Sequence, residues 1–404
     1  MFPSRMISTV GGDKFRDDYS LEFDGSNDTL RLFPHYSWGT SKSICFWCKP
    51  YQVDNYRSFF GSKTTAGYAR MTQNNESTSL QIESDGCSTA VGMSDSSTIM
   101  VVNKWTHVTF VWGSDDKVSL YIDGKFIAKM SSALVGSSMT VEHIGYGYSS
   151  YPFYGKMADF ACYDVALTAN QIATIYNSRE PYNHKEGVAA SSLARWYRMG
   201  DGGWFDRKHL LIRNECSSFS MSTPIVTDLF TSSEGGADGW EDYYGTVARS
   251  TTISSYEGAA GVLKCTVADA NDSITDDDKW LGKCAAISME AKFYLAEAYI
   301  YIPSSWSGDQ PIYLDPGNHF TEVDGFRNKT DVTIKDTWQY TSNLFESTET
   351  SGTGRIHLRA QSENSMVKND FVYLDNFTVK NITNTGAAFA THNITTSITS
   401  GDTP

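Results

Sequence analysis

Short apolar runs recur along the chain, and clusters of Gly, Asn, Asp and Ser separate one run from the next. The runs are rich in Val, Ile, Tyr, Phe and Trp, which favour β-strands. Clear examples are residues 105–113, 117–130, 296–303, 355–361 and 370–382. Asp123-Gly124 separates two apolar stretches and predicts a tight β-hairpin. The hydrophobic pattern therefore predicts an all-β protein.

Two segments have a helical pattern instead. Residues 167–177 start with Thr168 as a predicted N-cap, and Gln171 stands at the capping-box position three residues later. The apolar residues that follow fall on one helix face. Residues 191–199 are predicted to form a second short helix.

Changes in composition predict the domain organisation. The predicted parts are an N-terminal extension (1–18), a first sandwich (19–180), a linker (181–224), a second sandwich (225–382) and a C-terminal arm (383–404). The arm consists almost entirely of Thr, Ser, Asn, Ala and Gly, which cannot bury enough apolar area to fold alone. We therefore expect a neighbouring subunit to hold the arm in place.

The composition narrows the classes of function. The 404 residues include 33 Lys and Arg against 47 Asp and Glu, so the net charge is −14. An acidic surface repels phosphate backbones, which disfavours nucleic acid as the main partner. No apolar run reaches the roughly 18 residues that span a bilayer. The first residues lack the apolar stretch of a secretory signal, so synthesis in a cytoplasm is expected.

The seven cysteines are odd in number and scattered, which favours free thiols over a disulfide framework. Cys45 and Cys48 have CxxC spacing but lie in a predicted strand. Residues i and i+3 of a strand point to opposite faces, so this pair is not expected to share a metal. We expect both to be buried as small apolar side chains.

Four motifs follow one another in the first predicted sandwich, within residues 19–32, 41–50, 105–125 and 144–177. They read YSLEFDGSNDTLRL, SKSICFWCKP, WTHVTFVWGSDDKVSLYIDGK and IGYGYSSYPFYGKMADFACYDVALTANQIATIYN. This succession resembles the laminin-G-like branch of the concanavalin-A-like lectin/glucanase superfamily. The resemblance implies two curved antiparallel sheets packed face to face.

Two groups of residues in this part are candidates for binding. Asp24, Asn27 and Asp28 bring side-chain oxygens together in a tight turn. They could contribute to a structural calcium site, or they could serve the turn alone.

A tyrosine-rich loop follows at residues 144–156. Its candidate contact residues are Tyr146, Tyr148, Tyr151 and Tyr154. Exposed aromatic rings stack on sugar rings, but such loops also form protein interfaces or pack locally. All three interpretations stay open at this point.

The second predicted sandwich carries segments at 228–242, 337–345 and 371–381 that resemble jelly-roll carbohydrate-binding modules. The resemblance implies a structural calcium at Asp375, joined by Asp228 or Glu234; the alternative is that Asp375 only hydrogen-bonds the sandwich edge. No clear ladder of exposed aromatics is expected here. Trp280 and Trp306 lie in polar stretches and are candidate glycan platforms, or else core residues.

Catalysis is not expected. The nearest approach to a glycosidase carboxylate pair is Glu322-Val323-Asp324, and Arg327 stands where the second Glu belongs. A glycan hydrolase or lyase with an unrecognised site remains an alternative hypothesis.

The segments KFRDDYSLEFDGSND (14–28) and RWYRMGDG (195–202) resemble laminin-G-like proteins of tailed phages. The resemblance implies a homo-oligomeric virion protein, either a head decoration, a fibre or a tail adhesin. Its expected partners are other virion proteins and a host surface polysaccharide. The alternative is a bacterial extracellular carbohydrate-binding protein.

Overall fold

In the computed structural model, the chain folds into two compact units. The first unit comprises Met1–Ser217 and Thr385–Pro404, and the second comprises Ser218–Asn384. The structure describes residues 18–53, 56–62, 67–74, 77–84, 91–93, 99–134, 136, 138–147, 151–199, 205–206, 209–212, 214–217, 220–222, 224–228, 239–242, 245–256, 261–267, 278–284, 286–288, 290, 292–317, 319–323, 327–347, 349, 351–361, 368–383, 387–391, 398–400 and 404. The predicted N-terminal extension lies almost wholly outside these residues.

The elements of the first unit are mainly short strands with one α-helix among the described residues. In chain order the strands are β1 (Tyr19–Asp24), β2 (Thr29–Gly39), β3 (Lys42–Pro50), β4 (Arg57–Gly61), β5 (Tyr68–Asn74), β6 (Ser77–Glu83), β7 (Val91–Met93), β8 (Thr106–Trp112), β9 (Val118–Ile122), β10 (Lys125–Lys129), β11 (Ser138–Ile144), β12 (Tyr154–Tyr163), β13 (Leu193–Tyr197), β14 (Phe205–Asp206) and β15 (His209–Ile212). The helix α1 (Ala169–Tyr176) lies between β12 and β13.

The second unit follows, and the chain then returns to the first. The strands of the second unit are β16 (Ser220–Met221), β17 (Val226–Asp228), β18 (Gly245–Ser250), β19 (Val262–Val267), β20 (Asp278–Lys283), β21 (Ile287–Ser288), β22 (Lys292–Tyr301), β23 (Ile312–Pro316), β24 (Thr321–Glu322), β25 (Trp338–Ser347), β26 (Thr353–Gly354), β27 (Ile356–Gln361) and β28 (Phe371–Thr383). The returning strands are β29 (Ala387–Thr391) and β30 (Ile398–Ser400).

The first unit is a sandwich of two antiparallel sheets. Sheet A has the order β10-β9-β8-β3-β12-β1-β30, and β13 also pairs with β12. Sheet B has the order β14-β15-β29-β2-β11-β4-β5-β6-β7. Aromatic side chains fill the space between the sheets: Phe46 stacks on Phe160 at 5.5 Å between ring centroids, and Trp38 meets Trp112 edge-on at 5.2 Å. Burying one such side chain stabilises the fold by roughly 1.5–3 kcal/mol.

The outer face of sheet A carries a second apolar layer, because α1 packs on it. Ile172 and Ile175 of the helix lie with Cys45 in this layer, whereas Cys48 belongs to the core between the sheets. The prediction that the two cysteines face opposite sides of a strand is thus confirmed. The Thr168 capping box is also confirmed, since its hydroxyl accepts the Gln171 backbone N–H.

The predicted hairpin at Asp123-Gly124 joins β9 to β10. Both residues have positive φ angles, 47° and 75°. This is the conformation that a tight two-residue turn between twisted strands requires.

The predictions of a second helix, of a separate linker and of a C-terminal arm are wrong. Residues 193–197 of the predicted second helix form β13, because β12 offers that segment a hydrogen-bonded partner. The predicted linker (181–224) is not a separate connector, since its residues up to Ser217 belong to the first unit.

The strands described within the predicted C-terminal arm (383–404) likewise belong to the first sandwich, except that Thr383 ends β28 of the second unit. Its strand β29 lies between β15 and β2 in sheet B, and β30 pairs with β1 in sheet A. The backbone groups of β29 therefore find partners on both sides within the same chain. A neighbouring subunit is not needed to explain the order of these strands.

The second unit is also an antiparallel sandwich. Its large sheet has the order β18-β19-β28-β22-β25-β24, with β16 and β17 paired to β28. A three-stranded sheet, β20-β27-β23, contributes Leu281, Leu314 and Leu358 to the same core as Ile300 and Leu374 of the large sheet. The all-β class and the sandwich architecture are therefore confirmed. No helix within the described residues is long and apolar enough to cross a membrane.

Candidate functional site

Aromatic residues gather on the outward face of the large sheet of the second unit. On β22, Ala298 and Ile300 are fully buried in the core, so Tyr299 and Tyr301 point to the opposite face. In the adjacent strand β25, Trp338 stands opposite Tyr301 and Tyr340 stands opposite Tyr299. The alternation of two neighbouring strands thus brings four aromatic side chains together.

The rings of this group touch one another. Tyr301 meets Trp338 at 5.5 Å between centroids, and Tyr299 meets Tyr340 at 5.5 Å. Tyr256, which is 42% exposed, stacks on Tyr299 at 3.5 Å with nearly parallel planes. We call these five residues, Tyr256, Tyr299, Tyr301, Trp338 and Tyr340, the aromatic face.

Hydrogen-bonding groups border the aromatic face. The Tyr340 hydroxyl donates to Glu297 Oε1 at 2.6 Å, and Lys380 Nζ donates to Glu297 Oε2 at 2.8 Å. Burial and the nearby Asp336 carboxylate raise the pKa of Tyr301, so its hydroxyl stays protonated at neutral pH. The surface therefore combines flat apolar rings with hydroxyl, carboxylate and ammonium groups at their edges.

Asp375 supports this surface from the neighbouring strand β28. It is buried and stands opposite Tyr299. Its Oδ2 accepts the backbone N–H of Tyr256 at 2.7 Å, and its Oδ1 accepts that of Asn376 at 2.8 Å. The carboxylate thereby holds the segment that places the Tyr256 ring over Tyr299.

A second group of tyrosines lies at the junction of two loops of the first unit. Tyr51, which follows β3, donates its backbone N–H to Tyr154 O at the start of β12 at 2.9 Å. Ser58 on β4 donates its backbone N–H to Tyr151 O in the loop before β12 at 2.8 Å. The Tyr56 ring packs on Tyr151 at 5.0 Å. Tyr56 and Tyr154 are 39% and 36% exposed.

Two arginines lie among these rings. The Arg70 guanidinium lies 4.2 Å from the ring centroids of both Tyr56 and Tyr68 and 5.6 Å from that of Tyr151. The Arg57 guanidinium lies 5.9 Å from the Tyr154 ring centroid. These contacts form two groups, because Arg57 pairs with Met71 across β4 and β5 whereas Arg70 pairs with Ser58, so the two arginine side chains point to opposite faces of the sheet.

The predicted contact residues have different outcomes. Tyr151 packs with Tyr56, and Tyr154 lies beside Arg57. Tyr146 is half-buried, with its ring 6.0 Å from that of His143. Tyr148 lies outside the described residues. Trp280 is on β20 opposite Arg359, and its side chain is outside the described part of the structure.

Trp306 requires a correction as a candidate glycan platform. It is 4% exposed and belongs to the core of the second unit. A side chain enclosed in this way cannot offer a ring face to a ligand. Its polar neighbours in the sequence gave no sign of this burial.

The predicted calcium residues of the first unit are engaged in the turn itself. Asp24 Oδ1 accepts the backbone N–H groups of Ser26 at 2.8 Å and Asn27 at 3.2 Å. Asp28 Oδ2 accepts the backbone N–H of Asp24 at 2.9 Å, and Asp28 is buried. These contacts account for the residues as turn formers.

The calcium residues of the second unit are only partly described. Asp228 lies on β17 opposite Phe377, its side chain is outside the described part, and Glu234 lies outside it altogether. The described residues contain no group of three or more His, Cys, Asp or Glu that could hold a metal ion. Calcium at Asp375 stays a prediction.

The residues of the aromatic face escaped the sequence analysis, which expected no clear ladder of exposed aromatics in this half; Tyr256 is exposed, and the other four are half-buried. A signal was present, since Tyr299 and Tyr301 are two positions apart on one predicted strand, as are Trp338 and Tyr340 on another. Two such pairs share a face only if their strands are neighbours in the right register. The pairing of β22 with β25 supplies that condition.

The first unit is similar to a known protein family. Residues 24–173 match the model of a laminin-G family, Laminin_G_3, described as the concanavalin A-like lectin/glucanases superfamily. The first unit contains a laminin-G-like domain. No curated protein matches the chain.

Solved structures give weaker likenesses. The heptameric SAP-like pentraxin from Limulus polyphemus is 18% identical, with 40% of this chain and 82% of that chain covered and a TM-score of 0.34. Domain 4 of AbnA, an extracellular arabinanase from Geobacillus stearothermophilus, is 21% identical over 39% and 76%, with a TM-score of 0.32. The xylan-binding CBM22-1 domain of Paenibacillus barcinonensis Xyn10C is 12% identical over 39% and 94%, with a TM-score of 0.27. Likenesses of this size carry no argument about ligands.

Proposed function

We propose that the protein is a non-catalytic glycan-binding protein and that the aromatic face of the second unit is its binding surface. The observation that carries this proposal is the contact of Tyr256, Tyr299, Tyr301, Trp338 and Tyr340 on one outward sheet face. Aromatic rings are suited to stack on the C–H faces of sugar rings.

The geometry favours an extended glycan chain over a single buried sugar. The rings stand on two adjacent strands, about 4.8 Å apart, and at two successive positions along each strand, which are about 7 Å apart. Together they line a stretch of one sheet face, with the Tyr299–Tyr340 and Tyr301–Trp338 pairs in edge-to-face contact. The Tyr340 hydroxyl and the Glu297–Lys380 pair lie beside it, where they can exchange hydrogen bonds with sugar hydroxyls.

The test is a double variant, Tyr301→Ala with Trp338→Ala, examined by affinity electrophoresis on a panel of neutral polysaccharides. We expect at least one polysaccharide to retard the native protein and the double variant to bind it at least about tenfold more weakly, as for aromatic contacts at other binding surfaces. Phe126→Ala is the matched control, because Phe126 is 56% exposed but lies in the first unit.

Three results would contradict the proposal. The panel could fail to retard the native protein, or the double variant could bind as tightly as the Phe126→Ala control. Shortening of a bound polysaccharide during incubation would show turnover and favour the hydrolase or lyase hypothesis.

We also propose a setting for this binding, namely the surface of a phage particle. The support is the resemblance of residues 14–28 and 195–202 to tailed-phage proteins, which suggests a homo-oligomeric decoration, fibre or adhesin that contacts other virion proteins and a host polysaccharide. The alternative setting is the outside of a bacterial cell. Mass spectrometry of purified particles tests this, and absence of the chain from them would remove the proposal.

We also propose a structural calcium at Asp375, supported by the resemblance of the second sandwich to jelly-roll carbohydrate-binding modules. It would add to the hydrogen bonds that Asp375 already accepts. Its test is the melting curve of the second unit in excess chelator. An unchanged curve would remove the calcium.

A further inference from the structure

A small open-sided cavity lies on the outer face of sheet A in the first unit. Its volume is about 240 Å³, and its described lining residues are Trp47, Asp159, Glu180, Pro181 and Pro404. Small-molecule pockets usually measure about 300–1,000 Å³, so this cavity has room for one headgroup rather than for a whole drug-sized ligand. The described lining combines an indole, two carboxylates and two prolines, and it includes no lysine, arginine or histidine.

Trp47 lines the cavity because of the side-chain alternation of β3. Its neighbours Phe46 and Cys48 belong to the core between the sheets, so Trp47 points to the outer face. There its ring lies 5.0 Å from that of His107 and 5.6 Å from that of Tyr176. These contacts hold the indole in place at the cavity wall.

A β-bulge brings the carboxylate of Asp159 to the same cavity. The register between β12 and β3 shifts between Ala158 and Ala161, and Asp159 lies within this irregularity. Its φ angle is 52°, which is uncommon for a residue other than glycine. Bulges often redirect side chains beside functional sites. The strand therefore departs from regular geometry at the residue that supplies a carboxylate, which is 6% exposed, to the cavity.

Asp159 carries its negative charge at neutral pH. Its Oδ1 accepts the Trp196 Nε1–H at 2.5 Å, and its Oδ2 lies 3.0 Å from His184 Nε2. Burial alone would raise the pKa of Asp159, but the His184 and Trp196 contacts hold it below its ordinary value. The Tyr163 hydroxyl lies 2.5 Å from His184 Nδ1, so a neutral imidazole protonated at Nε2 satisfies both of its contacts. The Asp159 charge is thus held by neutral donors.

The turn after α1 places Glu180 and Pro181 in the cavity wall. Asn177, Ser178 and Arg179 all have positive φ angles, 46°, 52° and 74°. Such a run is costly for residues other than glycine, and conformations of this kind persist where the surrounding structure requires them. Asn177 Nδ2 donates to the carbonyl oxygens of Glu180 at 3.3 Å and Pro181 at 3.4 Å. Glu180 is exposed, so its carboxylate lies at the solvent side of the cavity.

We propose that this cavity binds an alkylammonium group, that is, a primary or quaternary ammonium cation with a small carbon substituent. The carboxylates of Asp159 and Glu180 attract the positive charge, and an indole is the side chain with the strongest cation–π attraction. The carbon substituents contact the two prolines. The site is separate from the aromatic face of the second unit, and neither proposal depends on the other.

An organic cation fits the described lining better than other small ligands do. Two carboxylates repel an anion, and the one imidazole beside Trp47 is neutral because burial lowers the pKa of His107 to about 3. A bare metal ion needs several oxygen or nitrogen ligands, and the described residues contain no such group. The indole and the prolines gain contact only from a ligand with carbon surface. Charge and apolar surface are therefore both required of the ligand.

The experiment is a ligand-observed NMR titration at neutral pH with paired probes of similar size. Tetramethylammonium is compared with tert-butanol, and butylammonium is compared with butanol; potassium is the inorganic competitor. The proteins are the native chain, Glu180→Gln, Trp47→Phe and the control Glu186→Gln. Glu186 is exposed in the same segment as Glu180 but does not line the cavity, so the control removes an equal charge.

We expect at least one ammonium probe to bind the native chain at least about tenfold more tightly than its paired alcohol. Glu180→Gln should weaken this binding by up to about fivefold, because one of the two carboxylates becomes neutral at a solvent-exposed position. Trp47→Phe should weaken it by about fivefold, because a phenyl ring attracts cations less than an indole does. Glu186→Gln should bind as the native chain does, and potassium should not displace the probe.

The proposal is overturned if neither ammonium probe binds, if alcohol and ammonium bind equally, if Glu180→Gln matches Glu186→Gln, or if potassium displaces the probe at equal concentration. Asp159 is left unchanged, because its replacement would leave the buried Trp196 and His184 donors unpaired. A melting transition like that of the native chain shows that Trp47→Phe is folded. If it is not, the comparison of the exposed Glu180 and Glu186 variants decides.

Discussion

Buried polar side chains of the first unit are arranged as a network under the segment that follows α1. Asp159 accepts the Trp196 Nε1–H at 2.5 Å and pairs with His184 Nε2 at 3.0 Å, and the Tyr163 hydroxyl lies 2.5 Å from His184 Nδ1. Burial alone would raise the pKa of Asp159, but the His184 and Trp196 contacts hold it below its ordinary value. The charge is tolerated because each oxygen has a donor.

His107 lies nearby without such compensation. It is 2% exposed, with its ring 5.0 Å from that of Trp47 and 6.0 Å from that of Tyr176. Burial lowers its pKa to about 3 from the ordinary 6.5, although Asp159 acts in the opposite direction. In the folded state this imidazole is therefore neutral over a range where the unfolded chain takes up a proton.

The first prediction concerns acid stability. Above pH 6.5 neither state protonates His107, and as the pH falls from 6.5 towards 3 only the unfolded chain does, so stability is lost on acidification. The loss is about 1.4 kcal/mol per pH unit, or about 2 kcal/mol at about pH 5. Urea unfolding at about pH 8 and about pH 5 measures it, and His107→Gln should reduce the difference between the two pH values by about that amount.

The control is His319→Gln, because His319 is exposed and pairs with the exposed Glu349. It should leave the pH difference as in the native chain. An equal pH difference in the native protein and His107→Gln would show that His107 does not titrate in this way.

Among the elements, β29 has a larger role than its sequence indicates. It pairs with β2 from Thr391 to Ala387 and with β15 through Phe389 and Ala388. A strand inside a sheet satisfies the backbone groups of two neighbours, whereas an edge strand such as β30 satisfies those of one. Loss of β29 would therefore separate β14 and β15 from the rest of sheet B.

The second prediction compares two truncations of the C-terminal segment. A chain that ends at Thr391 lacks only the edge strand β30 and should keep a cooperative melting transition of the first unit, with stability lowered by about 1–3 kcal/mol. A chain that ends at residue 384 also lacks β29 and should lose that transition in calorimetry. Retention of a native first-unit transition by the shorter chain would contradict the structural role of β29.

At the scale of the whole molecule, the second unit is an insertion in the chain of the first. The first unit breaks off at Ser217 and resumes at Thr385. The two ends of the inserted segment are adjacent, since Ser220 of β16 pairs with Thr383 of β28. An insertion whose ends meet can be removed without stretching the host fold.

The third prediction follows from that adjacency. Residues 218–384 expressed alone should fold, because the strands described in this segment pair with one another and share one core. Residues 1–217 joined to 385–404 by a short Gly/Ser linker should also fold and show the first-unit transition, whereas residues 1–217 alone should not. Calorimetry and near-ultraviolet circular dichroism of the three chains measure this. Failure of the linked chain, with the separate second unit folded, would show that the host fold requires the insertion.

The sequence by itself determined those features that depend on a few neighbouring residues. The Thr168 capping box, the Asp123-Gly124 hairpin and the opposite orientation of Cys45 and Cys48 all follow from local geometry, and the strand-rich pattern determined the all-β class. The tertiary structure alone decided β13 and β29, the burial of Trp306, and the meeting of Tyr301 with Trp338. Each of these depends on which distant strand becomes a neighbour and in which register, and hydrogen bonds between distant strands leave no mark within either strand's own sequence.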